Sequence, residues 1–174
     1  MPEKFNYDVI NEQKNTKPNI KDVIGNFLEG DALKNAMNFV TFLMDNDMTP
    51  RWSSANAWRV VGKKSKSICK INLGGAKGAW MNYMRVGDWQ IIELEGLDRK
   101  YLDEFISCDE MKDFVWANIK SCTRCCSCGP RNRTYVGKQF DECCGLSIKN
   151  PDAKGVELAK KLVEANKRFI YANA

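Results

Sequence analysis

The chain of 174 residues is 44% hydrophobic and 28% charged, carries a formal net charge of +5, and contains no histidine. That length supports one buried core, and the balance is that of an ordinary globular domain. The absence of histidine excludes Ser-His-Asp and Cys-His nucleophilic sites and any His-ligated metal, leaving carboxylate, lysine or thiolate chemistry.

Residues 1–19 are polar, include the stretch NEQKNTKPN, and read as an arm that is ordered only where it docks on a single domain spanning 20–174. No stretch suits a signal peptide and no run is apolar enough to span a membrane, so the expected location is the cytoplasm, with no membrane partner. From Asp31, a capping residue, Leu33, Ala36, Met37, Val40, Leu43 and Met44 recur at helical spacing, widened by Phe39 and Phe42; Pro50 ends the helix. Four strands follow: AWRVV (57–61), SICKINL (67–73), AWMNYMRV (79–86) and WQIIELE (89–95). Their alternation and the turn residues between them predict an antiparallel meander. Residues 97–107 and 109–120 read as two helices, the second capped by Asp109 with Met111, Phe114, Val115 and Ile119 as its stripe. After a cysteine-rich stretch, TYV and GLSI are short strand candidates. Asn150-Pro151-Asp152 then opens a last helix, with Val156, Ala159, Leu162, Val163, Phe169 and Ile170 facing inward. A meander set between helices makes the fold class α+β.

Six of the eight cysteines lie in KSCTRCCSCGPRNRTYVGKQFDECC, residues 120–144. Cys122, Cys125 and Cys128 have C-x2-C-x2-C spacing, and Cys143 or Cys144 offers a fourth thiolate for a tetrahedral zinc. The adjacent Cys143–Cys144 pair departs from a C-x2-C knuckle. Gly129 and Pro130 after Cys128 break the ferredoxin pattern, in which Pro follows the fourth Cys directly. A zinc site, free buried thiols and a redox disulfide all remain open readings, the thiols being sensitised by Lys120, Arg124 and Arg131.

Five tryptophans are many for this length, and four fall in or beside the meander. Rings on a sheet are usually core. Trp58 and Trp80 nevertheless alternate with polar residues beside Met81, Tyr83 and Met84, the makings of a groove for an extended, weakly polar ligand. LGGAKGAW is a hairpin turn and no phosphate loop, because its Lys precedes the final Gly. The acid pairs Asp103–Glu104 and Asp109–Glu110 read as solvated or helix-start charges. GKKSKSICK and RNR could meet phosphates, but interleaved acids make nucleic acid an unfavoured partner.

The runs TPRWSSANAWRVVGKKSKSICKINL and KSCTRCCSCGPRNRTYVGKQFDECCGLSIKNPD resemble those of clostridial cytoplasmic proteins related to the GyrI-like small-molecule-binding class. That resemblance spans about 100 residues. It implies a curved antiparallel sheet with helices packed on it (the SHS2-type architecture) around a ligand groove, without catalysis and with no required cofactor. It further implies antibiotic sequestration and self-resistance, the ligand being a hydrophobic polythioamide. The chain departs from the family's two similar β-α-β-β halves by its cysteine stretch and C-terminal helix. Glu93 and Glu95 are the carboxylates available for the acidic position that drug-sensing members use. Trp52, Trp58, Trp80, Tyr83, Met84, Trp89 and Trp116 form the pool of expected ligand contacts. The rival readings are a metal-binding or thiol-redox module on Cys122, Cys125, Cys128 and Cys143, and a thiolate enzyme.

Overall fold

The computed structural model describes residues 7–74, 84–94, 106, 108–121 and 131–172, with 7–10, 64, 120–121, 131 and 142–144 described by backbone alone. Its elements confirm the α+β class. A short polar helix α1 (Tyr7–Thr16) leads through α2 (Ile20–Val23) to the long helix α3 (Gly30–Asp45). Strands β1 (Thr49–Ser54), β2 (Ala57–Val61), β3 (Ser67–Leu73) and β4 (Trp89–Ile92) follow, then α4 (Asp109–Ala117). Strands β5 (Ile119–Ser121), β6 (Arg131–Tyr135), β7 (Lys138–Leu146) and β8 (Ile148–Lys149) precede the final helix α5 (Ala153–Ala172).

Five strands form one antiparallel sheet in the order β1-β2-β3-β4-β8. Directly paired residues share a face, so one register row runs Trp52, Trp58, Ile71, Ile91, Ile148 across the whole sheet. With Val60, Cys69, Leu73 and Trp89 on the same face, this row is the floor of the core. Helix α3 packs on it through Phe39, whose ring centroid lies 6.1 Å from that of Trp89. Helix α5 lies alongside, with Asn166 donating to the Ile68 carbonyl and Lys160 to Asn38 of α3. Each large side chain buried here contributes about 1.5–3 kcal/mol. The opposite face carries the row Arg51, Arg59, Lys70, Ile92, which is why β2 reads apolar and basic by turns.

A smaller antiparallel sheet, β5-β7-β6, joins the same core through Ile119, Tyr135, Val136 and Leu146. Its hairpin turns at Val136 (φ 48°) and Gly137 (φ 76°), the double positive φ of a type I′ turn. Valine is a costly choice for that backbone, and its burial supplies the compensation.

β2 and β3 fall on the residues their alternation predicts. Other expectations change. The expected helix 109–120 stops at Ala117, because Asn118 turns out of it with Nδ2 on the Phe114 carbonyl, and Ile119 is a strand residue. Of the expected strand 79–86, residues 79–83 lie outside the described set, and Met84–Val86 sit in the approach to a turn. β4 ends at Ile92, since Glu93 takes φ 57°. Glu29, not Asp31, occupies the first helix cap, and Asp109 is the first residue of α4 rather than its cap. Met44 is 40% exposed, outside the stripe centred on Ala36, Phe39, Val40 and Leu43. Phe169 and Ile170 are only half-buried. Pro151 precedes α5, and Asp152 caps it by accepting from the Gly155 amide at 2.7 Å. The expected helix 97–107 lies outside the described residues apart from Ile106.

Candidate functional site

One end of the five-stranded sheet collects the β1–β2 turn, the end of β3, the start of β4 and the residue after β8. Asp88 ties three of these together. Its carboxylate accepts from the Arg85 amide at 2.9 Å, from Asn150 Nδ2 at 2.7 Å and from Lys149 Nζ at 2.9 Å. Its carbonyl accepts from the Gly74 amide at 2.7 Å. Asn150, at φ 45°, returns its Oδ1 to the Trp89 amide at 2.7 Å. Partial burial alone would push the Asp88 carboxyl up, but the hydrogen bonds from Lys149, Asn150 and Arg85, with the Lys149 charge, hold it below the usual 3.8.

The β1–β2 turn is the second anchor. Asn56 stands at φ 53°, a conformation asparagine tolerates, and is 1% exposed. Its Nδ2 donates to the Gly74 carbonyl at 3.1 Å, and its carbonyl accepts from the Leu73 amide at 2.8 Å. Its two other groups meet Gln13 of α1, which is 3% exposed. Gln13 Nε2 donates to Asn56 Oδ1 at 2.7 Å, and the Asn56 amide donates to Gln13 Oε1 at 2.9 Å. Thus the arm of residues 1–19 contains a helix, and that helix docks on the sheet.

The expected contact residues divide in three. Trp52 and Trp58 face each other across β1 and β2, and both indoles donate to the N-terminal segment. Trp52 Nε1 reaches Gln13 Oε1 at 3.5 Å and Trp58 Nε1 the Pro18 carbonyl at 2.9 Å. Trp89 lies on the same face two strands away, fully buried, and its Nε1 has no hydrogen-bond partner among the described residues. Met84, 9% exposed, precedes the Asp88 turn. Trp116 belongs elsewhere: its Nε1 donates to the Tyr135 carbonyl at 2.9 Å, and Lys138 Nζ lies 5.2 Å from its ring centroid. Trp80 and Tyr83 lie outside the described residues, between Gly74 and Met84.

Of the candidate metal ligands, Cys122, Cys125 and Cys128 lie outside the described residues, and Cys143 lies in β7 with only its backbone described. Among the described residues no group of three metal-ligating side chains converges. Cys69 is buried in β3, where desolvation first and the Glu93 charge second push its thiol far above the ordinary range, so it holds no thiolate at neutral pH. Among the described residues no helix is long and apolar enough to cross a membrane. A separate cleft of about 560 Å³ lies between α4 and α5 over Phe114 and Leu158, with Glu110, Asp113 and Asp152 around it, and contains none of the expected contacts.

Sequence reasoning missed Gln13 and Asn56. Asn56 had a usable signal, an asparagine in a two-residue gap between β-branched and aromatic runs, whereas Gln13 had none. Comparison with family models, with curated proteins and with solved structures finds no match to this chain.

Proposed function

We propose that this protein is a non-catalytic binder that sequesters an elongated, hydrophobic antibiotic of the polythioamide class, in a GyrI-like architecture and with no required cofactor. The observation that supports the reading most is Trp89, a fully buried indole whose N–H has no acceptor among the described residues. Leaving such a donor unpaired costs about 1–3 kcal/mol, a cost that calls for a physical account. A ligand acceptor reaching the sheet end supplies the missing partner. Thioamide sulfur is large, polarisable and a weak acceptor, and it suits an indole donor packed against the Phe39 ring.

Access runs through elements whose described contacts are polar. Gln13 alone among residues 11–17 is buried, and the Asp88 turn is fastened by hydrogen bonds and one ion pair. Such elements open locally at lower cost than the core they border. Trp52 and Trp58 are then the next rings a ligand meets. Trp116 is removed from the ligand contacts in this reading, being committed to the smaller sheet.

The test is a tryptophan-fluorescence titration of the reduced protein with closthioamide, corrected for inner-filter absorption. Saturation at micromolar concentration or below supports the reading. A flat titration, together with an unchanged melting temperature at the highest soluble ligand concentration, contradicts it.

A further inference from the structure

Gln13 is a primary amide held by a surface that matches an amide edge group by group. Asn56 presents an N–H to its carbonyl and an oxygen to its N–H2, at 2.9 and 2.7 Å. The assignment is fixed by the backbone, because the Asn56 amide must face an acceptor and Asn56 Nδ2 must face the Gly74 carbonyl. Asn56 does not depend on Gln13 for its place. The Gly74 carbonyl, the Leu73 amide and the turn at φ 53° hold it from the other side.

The second donor to Gln13 Oε1 is Trp52 Nε1, 3.5 Å away. That is too long for a good bond to oxygen. Sulfur has a larger radius and takes an N–H at such a distance.

The helix that delivers Gln13 is weakly committed to its position. Residues 11, 12 and 14–17 are exposed, so α1 presents no apolar stripe there to the sheet. Its 10 residues are below the length at which an isolated helix is even marginal in water. Lys17, at φ 46°, separates it from α2. Among its described side chains, Gln13 alone is buried.

We propose that Asn56 and Trp52 form an amide-recognition site that Gln13 fills in cis and that an amide or thioamide group of a ligand fills in its place. The site's chemical class stands on the Gln13 geometry; the thioamide as its occupant rests on the function proposed above. α1 is then an intramolecular competitor, and the ligand's apparent affinity is lowered by the fraction of molecules in which it stays docked.

The experiment uses the full chain with Gln13→Ala, and Gln13→Glu as a second variant that keeps the side chain's shape but sets a carboxylate against Asn56 Oδ1. Faster tryptic cleavage at Lys14 reports release of the helix. Titration with closthioamide is expected to show both variants binding about fivefold more tightly than wild type, or more. Helix release with unchanged or weaker affinity overturns the inference and leaves the proposed function standing. If closthioamide binds none of the three proteins, the proposed function falls, and a second probe decides this inference. That probe is an acetylated and amidated peptide of residues 7–19, added to the Gln13→Ala chain at roughly the millimolar concentration a tether supplies. Saturable binding that disappears when the peptide's own glutamine is alanine supports the site. No saturation overturns it.

Discussion

Asp88 shows how one side chain can organise the end of a sheet. Its side chain is 16% exposed, and each oxygen is committed, Oδ2 to Arg85 and Lys149 and Oδ1 to Asn150. Because its carboxyl is held below its usual 3.8, the folded state gains stability from this group above that value and loses it as pH falls through the lowered one. Thermal unfolding followed from pH 6 to pH 2 is expected to show an acid limb that Asp88→Asn flattens. At neutral pH that substitution sets an NH2 among donors, at a cost of about 1–3 kcal/mol. Gly74, next to Asp88 in space, has no room for a methyl group: a Cβ there would lie 1.7 Å from the Arg85 carbonyl oxygen. Since the obstacle is backbone, Gly74→Ala is expected to destabilise by about 3 kcal/mol in urea unfolding. Gly62 differs, its obstacle being the Tyr171 hydroxyl that accepts from the Lys63 amide, so alanine there displaces a side chain at the far end of α5.

Helix α5 depends on Asp152 for its start. The carboxylate takes the Gly155 amide and the carbonyl takes the Val156 amide. Asp152→Ala is expected to cost about 1 kcal/mol, read from the shift of the urea midpoint at constant slope. β2 and β3 were legible because AWRVV and SICKINL are short runs rich in Trp, Val and Ile, bounded by turn residues. β1 was not, because TPRWSS has proline as its second residue, is polar at the sheet edge, and carries a register break between Trp52 and Ser54. β7 was hidden for the same reason, its sequence KQFDECCGL having no clean period of two. The overrun at Ala117 has a specific cause: Ile119 continues the helical stripe by spacing while Asn118 has already broken the backbone. Aromatic richness pointed to the end of the sheet that carries Trp52, Trp58 and Trp89. It could not show which indole lacks an acceptor among the described residues, since that depends on three-dimensional neighbours. Nor could it reveal Gln13, whose role rests on hydrogen bonds with a turn 43 residues away.

At the scale of the whole molecule, the packing is asymmetric. Helices α3 and α5 bury one face of the main sheet, while the smaller sheet extends the core beyond β8. The apolar floor, with its row of Trp and Ile, supplies the stability, and the sheet end, fastened by amides and one carboxylate, supplies the openings. A ligand that binds only the folded chain adds about 2.7 kcal/mol at a hundredfold excess over Kd. For a domain of this size that is a rise of about 5–10 °C in melting temperature. Hydrogen exchange should order the elements accordingly, with α1 amides exchanging through local opening well before those of α3 or β3.

The most direct test compares wild type with Trp89→Phe, measuring closthioamide affinity by calorimetric titration and stability by urea unfolding of the same samples. Trp89→Phe deletes a donor that has no partner among the described residues, so the stability cost should stay within the packing loss, about 1–2 kcal/mol. Affinity is expected to fall about fivefold to tenfold, the worth of one hydrogen bond to the ligand. Equal affinity for the two proteins would contradict the assignment of Trp89 as the ligand's donor, and absence of binding to either would contradict the sequestering function itself.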